Sequence, residues 1–117
     1  YSFERFFGFS EIDTLSKRTA DKNKVIFGFD YVVKKIKNLH VDKLFASIGK
    51  IDVLNIDVEG LDLSIIRSSK LKLVDPEVIL FEDNSAYFMT NKMMSFFNKR
   101  GYKILFQSGG TKCVAKI

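Results

Sequence analysis

The sequence predicts an α/β fold with a mostly parallel sheet and an antiparallel C-terminal hairpin. Two apolar runs, residues 51–58 and 77–81, have the composition of buried strands, and each is followed by a helical pattern. Residues 102–107 and 111–117 are two further strand patterns, and the Ser-Gly-Gly segment between them is typical of a hairpin. A length of 117 residues suits one core, so residues 1–117 are expected to form a single domain.

The N-terminal third has weaker patterns. Residues 1–9 are rich in aromatic side chains and predict a short edge strand, and the polar residues 10–24 predict a loop with one helical turn. Residues 25–29, VIFGF, predict a strand because they are β-branched and aromatic. Asp30 is then expected to cap a helix whose apolar residues repeat at helical spacing, namely Val32, Val33, Ile36 and Leu39.

Clearer patterns follow in the middle of the chain. Residues 42–47 predict a short helix that ends at Gly49, with His40 before it as a surface or capping residue. Residues 51–58 show little alternation, which is typical of a strand that is covered on both faces. Gly60 ends this strand because glycine interrupts regular strands.

Two helices and a buried cysteine complete the predicted elements. Residues 61–66 and 86–100 have helical spacing of their apolar residues. The second of these helices carries a stripe that is expected to lie in the core, formed by Phe88, Met89, Met93, Phe96 and Phe97. Cys113 belongs to the last strand and is expected to be buried and inert.

Composition limits the possible partners and compartments. The net charge of +5 comes from 19 Lys and Arg against 14 Asp and Glu, and the densest basic group, Lys34, Lys35 and Lys37, is expected on the solvent face of a helix. Polyanion-binding surfaces concentrate their charge, so the sequence predicts neither a nucleic-acid nor a membrane partner. A single cysteine excludes an intramolecular disulfide and favours a reducing, cytoplasmic compartment. No apolar run approaches the ~18 residues that span a bilayer.

Carboxylates follow both of the apolar strands. Residues two apart in a strand share a face, so Asn55, Asp57 and Glu59 are expected to project together. Open α/β sheets bind ligands beyond the carboxyl ends of their strands, and residues 82–84, Glu-Asp-Asn, reach the same edge. Gly60 fits a tight turn or the close approach of a ligand to the backbone. The sequence therefore predicts a ligand site at this edge, with helix capping as the alternative role of Glu59.

These residues resemble a known family. The string IDVLNIDVEGLDLSII, followed by PEVILFE, resembles the C-terminal half of the FkbM-type methyltransferases. That family has a hydrophobic strand, the pattern Lys-Ile-Asp-Val-Glu-Gly, an acid two residues later, and then a proline and a strand that ends in glutamate. The matching residues are Asp57, Val58, Glu59, Gly60, Asp62, Pro76 and Glu82. Asn55 stands where the family has its lysine, and residues 13–16 and 29–31 match more weakly.

The resemblance implies a fold, a cofactor and a reaction. The fold is a Rossmann-like class I methyltransferase fold, present in part, and the cofactor is S-adenosylmethionine. The implied reaction is O-methylation of a hydroxyl on a small molecule or glycan, with Asp57, Glu59 and Glu82 as catalytic residues and without a metal. Asp57 and Gly60 are the residues implied to contact the cofactor.

The resemblance also implies a missing part. Methyltransferases of this class bind the cofactor through a glycine-rich loop after their first strand, and the sequence contains no such loop. The cofactor-binding half is therefore expected upstream of Tyr1, and the isolated chain is expected to be inactive. The sheet edge before Ile51 is expected to be covered by that half or by a second copy of the chain.

Two alternatives remain open. Asp57, Glu59, Glu82 and Asp83 carry oxygen ligands that suit Mg²⁺, so a magnesium-dependent phosphoryl-transfer or nuclease site is one of them. The absence of a cofactor loop also fits a non-catalytic interaction fragment.

Overall fold

The chain is described by a computed structural model over residues 2–7, 17–28, 30–58, 60–84 and 89–117. It divides into two compact units, Tyr1–Leu39 and His40–Ile117, and each unit contains its own sheet. No helix in the described ranges is both long enough and apolar enough to cross a bilayer. The single domain expected for residues 1–117 stays a prediction.

The N-terminal unit contains two paired strands and one helix. Strand β1 (Ser2–Phe7) pairs antiparallel with β2 (Val32–Lys37), and helix α1 (Lys17–Phe27) lies between them along the chain. Ala20 is the buried residue of α1. The strand predicted at the N-terminus is therefore confirmed over the range of β1.

The strand predicted for residues 25–29 is wrong. Val25, Ile26 and Phe27 form the last turn of α1, and their side chains are half exposed or more. The preceding Lys, Arg and Ala residues favour a helix, which overrides the strand preference of three residues. Gly28, with φ 71°, ends the helix and donates its N–H to the carbonyl of Lys24. Residue 29 lies outside the described ranges.

The helix predicted after Asp30 is also wrong. Residues 32–37 form β2, whose register with β1 runs from Phe7 opposite Val32 to Ser2 opposite Lys37. Helical spacing over so few apolar residues does not distinguish a helix from a strand. The β-branched residues in this segment favour the strand, because their side chains pack well on a pleated surface.

The C-terminal unit contains a four-stranded mixed sheet. Its strands are β3 (Val53–Ile56), β4 (Val78–Glu82), β5 (Tyr102–Ser108) and β6 (Thr111–Lys116), in the order β3-β4-β6-β5. Strands β3 and β4 are parallel, whereas β6 runs antiparallel to both β4 and β5. The predicted hairpin is confirmed. The sheet is mixed: β3, β4 and β5 run in one direction, and β6 runs in the opposite direction between β4 and β5.

The helices of this unit are α2 (Val41–Ile48), α3 (Asp62–Ser68) and α4 (Asn91–Asn98), with a 3₁₀ turn at Leu71–Leu73. His40 caps α2, since its Nδ1 accepts the N–H of Asp42 at 3.1 Å, as predicted. Thr90 caps α4 by accepting the N–H of Met93 at 3.3 Å. The helix predicted for residues 86–100 is thus confirmed over Asn91–Asn98, whereas residues 89–90 and 99–100 lie outside the helix. Residues 86–88, Phe88 included, lie outside the described ranges.

Strand β3 is covered on one face rather than on both. Ile56 is buried and Leu54 partly buried, whereas Asn55 is exposed and Val53 is 56% exposed. Within the described residues, the apolar core covers the Leu54 face alone. The apolar content of this strand therefore overstated its burial.

The core lies between this sheet and the helices. Phe97 of α4 stacks on Phe81 of β4 with 5.5 Å between ring centroids, and it meets Tyr102 edge-on at 6.4 Å. The buried members of the cluster are Phe45, Ile56, Ile66, Leu71, Val74, Ile79, Phe81, Met89, Met93, Phe97, Tyr102 and Val114. Met89, Met93 and Phe97 are therefore core residues, as predicted, and Phe96 packs against them partly buried.

An ion-pair network stands at the start of β4. Lys116 Nζ lies 2.5 Å from a carboxylate oxygen of Asp75 and 3.8 Å from one of Glu77, and Lys50 Nζ lies 3.1 Å from Glu77. The hydrogen bond from Lys116 lowers the pKa of Asp75 below its ordinary value of 3.8. Asp75 has a φ of 43°, a left-handed conformation in which Asp and Asn are enriched.

We predict that Asp75→Asn flattens the acid dependence of stability. A carboxyl whose pKa is lowered by folding stabilises the protein above its unfolded-state pKa, and this contribution is lost as the pH falls through its folded-state pKa. The free energy of unfolding of the wild type should therefore fall more steeply than that of the variant between about pH 5 and about pH 2. Urea denaturation at a series of pH values measures both slopes.

Asp52→Asn is the matched control for this experiment. Asp52 is exposed and makes no ion pair in the described ranges, so this variant should retain the slope of the wild type. Equal slopes for the wild type and Asp75→Asn would contradict the prediction.

Candidate active site

The carboxyl ends of β3 and β4 lie side by side. Their parallel register pairs Ile56 with Phe81, so Asp57 and Glu82 come next at adjacent positions along one edge of the sheet. Asp57 directly follows β3, and Glu82 is the last residue of β4. Both residues are exposed, and neither makes an ion pair in the part of the chain that the structure describes. The structure thus brings two of the predicted site residues to the same edge.

One buried carboxylate holds the two strand ends together. The side chain of Asp62 is 1% exposed. Its Oδ1 accepts the N–H of Val58 at 3.0 Å, and its Oδ2 accepts the N–H of Glu82 at 2.8 Å. Because each oxygen has its own backbone donor, the carboxylate joins the segment after β3 to the end of β4.

Asp62 reaches this position from the first turn of α3. Its side chain lies on the same face of the helix as Ile66, four residues later, and both are buried. An acid in the first turn also complements the positive end of the helix dipole. In the sequence, Asp62 matches the family pattern, but no structural or catalytic role was predicted for it. Its spacing from Ile66 on a short helix was the available signal that it points inward.

Gly60 makes the turn between Asp57 and α3. Its φ is 94°, in the left-handed region that favours glycine. A Cβ added at this position would meet no atom of the described chain within 4 Å, so the requirement for glycine is conformational. The predicted tight turn is confirmed, and the predicted contact of Gly60 with a cofactor stays a prediction.

The other side of the edge is tied to the hairpin turn by a lysine that the sequence patterns missed. Lys112 of β6 is 0% exposed, and its Nζ donates to the carbonyls of Asp83 and Gly109, each at 2.9 Å. The N–H of Asp83 in turn donates to the carbonyl of Gly110 at 2.8 Å. These bonds hold the residue after Glu82 against the turn between β5 and β6.

Asn84 and Gln107 complete this arrangement. A Cβ added at Gly110 would lie 1.9 Å from Oδ1 of Asn84, so the Asn84 side chain occupies the space that any larger residue would need. Where the described chain resumes, the N–H of Met89 donates to Oε1 of Gln107 at 2.6 Å. Asn84 and Met89 thus both contact the hairpin.

The described groups at this edge fit a cationic or hydroxyl-bearing ligand. Asp57 and Glu82 offer exposed carboxylate oxygens, which accept hydrogen bonds from hydroxyls and attract positive charge. Among the described residues, no group of three or more His, Cys, Asp or Glu side chains is arranged to hold a metal ion. Glu59, the third predicted carboxylate, lies outside the described ranges.

The sequence was also compared with known protein families, curated proteins and solved structures. The model of the FkbM methyltransferase domain matches residues 2–104. The chain belongs to the FkbM methyltransferase family. The family resemblance of the sequence is therefore confirmed. Neither the search of curated proteins nor the search of solved structures found a match.

In this FkbM family member, the matched region contains Asp57, Gly60, Asp62 and Glu82. It ends before strand β6, so Lys112 lies beyond it. The contacts of Asp62 give a structural reason for the acid that follows the Asp-Val-Glu-Gly pattern. Methyltransferases of this family generally use S-adenosylmethionine.

We predict that Asp62→Asn destabilises the strand ends. An amide offers one acceptor oxygen, so one of the two backbone N–H groups loses its partner and faces an NH₂ donor instead. The free energy of unfolding should fall by about 1–3 kcal/mol, measured by urea denaturation. Ser64→Ala, an exposed change on the same helix, should alter it by less than about 0.5 kcal/mol.

Hydrogen exchange in the wild type provides a second measurement that does not depend on a folded variant. The amides of Val58 and Glu82 should exchange slowly for residues at strand ends, because the buried Asp62 carboxylate accepts both. Fast exchange of these two amides would contradict the role assigned to Asp62, as would an unchanged stability of Asp62→Asn.

Proposed function

We propose that the chain carries the methyl-transfer edge of an S-adenosylmethionine-dependent methyltransferase that methylates a hydroxyl of a small molecule or glycan. The observation that supports this most is the adjacency of Asp57 and Glu82 at the ends of parallel strands in an FkbM family member. We also propose that β3, α3 and β4 belong to a Rossmann-like class I sheet. The parallel pairing of β3 and β4 across an intervening helix supports that assignment.

S-adenosylmethionine, when bound, supplies an activated methyl group on a positively charged sulfur. The carboxylate of Asp57 accepts the hydrogen bond of the acceptor hydroxyl and takes up its proton as the hydroxyl oxygen becomes nucleophilic. The negative charge of the same carboxylate also favours a cation nearby. Aligning the two reactants contributes as much as the proton transfer does, so the orientation of Asp57 matters as well as its charge.

Glu82 supports Asp57 from the adjacent strand. Its backbone is held by Asp62, which fixes where its exposed side chain leaves the sheet. We assign Glu82 to contact with the acceptor. Glu59 belongs to the same group by family resemblance. Gly60 lets the backbone turn tightly next to Asp57, which leaves room for the cofactor beside the strand end.

We predict that Asp57→Asn lowers methyl transfer by about 100-fold or more, because the amide cannot accept the proton of the hydroxyl. Glu82→Gln should have a smaller effect, mainly on the KM of the acceptor. The assay follows radiolabelled methyl from S-adenosylmethionine into a panel of glycans and small hydroxyl compounds. It is run on the 117-residue chain and on the full product of the reading frame.

Asp52→Asn is the control, because it makes the same chemical change at an exposed residue just before the same strand. It should transfer methyl at the wild-type rate. Wild-type activity in Asp57→Asn would contradict the assignment of Asp57 as a catalytic residue. Failure of the full product to bind S-adenosylmethionine by calorimetry, together with Mg²⁺ binding that Asp57→Asn abolishes, would contradict the methyltransferase proposal.

A further inference from the structure

A groove lies at the end of the C-terminal unit's sheet that is opposite to Asp57 and Glu82. Strands β4 and β5 run in the same direction, because both pair antiparallel with β6. The lining of the groove includes Asp75, which precedes β4, and Tyr102, which begins β5. This part of the groove is therefore at the amino ends of these strands, whereas the proposed methyl-transfer edge is at the carboxyl ends of β3 and β4.

The walls of this groove are strongly basic. It consists of two adjoining cavities of about 550 and 280 Å³, which share Lys99 and Arg100 in their linings. The basic residues that line the two cavities are Arg67, Lys70, Lys72, Lys92, Lys99 and Arg100. They come from the end of α3, the segment after it, and the region of α4, so chain segments distant in sequence contribute to one surface.

The positive charge of the groove is not neutralised by the described chain. None of its six basic side chains makes an ion pair within the ranges that the structure describes. The acidic residue in the lining is Asp75, and its carboxylate already pairs with Lys116 and Lys50. The described lining of the two cavities therefore has six basic side chains against one acidic side chain.

Arg100 is held in place at the boundary of the two cavities. Its guanidinium lies over the ring of Phe96, 3.6 Å from the centroid, and Nη1 donates to the carbonyl of Phe96 at 2.9 Å. A guanidinium fixed in this way loses little conformational freedom when it binds. Its remaining N–H groups form the planar fork that matches two oxygens of a phosphate.

The side chains that line the groove suit a small soluble anion better than a nucleic acid or a membrane surface. Single-stranded nucleic acids need exposed aromatic rings for base stacking, but Tyr102 is 2% exposed and Phe96 is covered by Arg100. Binding to a membrane surface uses exposed apolar side chains beside the basic ones, but Leu71 and Met93 are each 5% exposed. The larger cavity has the volume of a small-molecule site.

We propose that this groove binds a water-soluble small molecule through a diphosphate group. Arg100 engages one phosphate as a fork, and the surrounding lysines neutralise the rest of the charge. The site is separate from the methyl-transfer edge and does not depend on the proposed methyltransferase activity.

Calorimetric titration of the full chain with inorganic pyrophosphate tests this proposal. We expect saturable binding that weakens as sodium chloride is added, because salt screens exposed charges. The double variant Lys72→Gln with Lys99→Gln should bind at least about tenfold more weakly, because charge-assisted hydrogen bonds are lost. Both lysines are exposed and make no ion pair in the described ranges, so the variant should keep the circular dichroism of the wild type.

The matched control is Lys43→Gln with Lys103→Gln, which removes the same charge from exposed positions outside the groove. It should retain the wild-type affinity. Equal weakening in both double variants, or no saturable binding of pyrophosphate by the wild type, would overturn the proposal. Displacement of pyrophosphate by phosphatidylserine vesicles or by a single-stranded oligonucleotide at lower phosphate concentration would reassign the groove to that partner and overturn the choice of a soluble ligand.

Discussion

The two hydrogen bonds accepted by the buried carboxylate of Asp62 organise the edge at which Asp57 and Glu82 lie. A buried carboxyl group is costly unless hydrogen-bond partners surround it, and here the N–H groups of Val58 and Glu82 are such partners. Val58 follows the end of β3 and Glu82 is the last residue of β4, and backbone groups at strand ends often lack ladder partners. The same contact therefore satisfies the acid and fixes the two strand ends, and α3 is held to the sheet by its first turn.

Local patterns predicted the part of the fold that depends on local information. The strings around β3 and β4 are apolar, β-branched and bounded by glycine or proline, and the hairpin has Gly109 and Gly110 at its turn, so these elements were predicted correctly. The predictions for the N-terminal unit were wrong because residues 25–27, VIF, and residues 32–36, VVKKI, are short enough to suit either a helix or a strand. In such segments the neighbours in the fold decide, and the sequence does not show them.

Some residues of the candidate site could be predicted from the sequence and others could not. Asp57 and Glu82 could be predicted because each comes directly after an apolar run of its own, residues 51–56 and 77–81. Asp62 and Lys112 could not be given their roles, because their partners are 20 and 29 residues away in sequence, at Glu82 and Asp83. The basic groove shows the same limit. Its basic residues are far apart in the sequence, and they come together only when α3 and α4 pack against the sheet.

The length of β4 sets a distance between the two proposed sites. Its five residues span about 17 Å, and the larger cavity, which Asp75 lines, and the carboxylate edge lie at its opposite ends. A single phosphate group in this larger cavity does not reach that edge, so a compact ligand there would act as an anchor or effector independent of the acceptor. A molecule that used this cavity and the carboxylate edge at once would have to be extended, with its phosphates and its methylated hydroxyl separated by about the length of the strand.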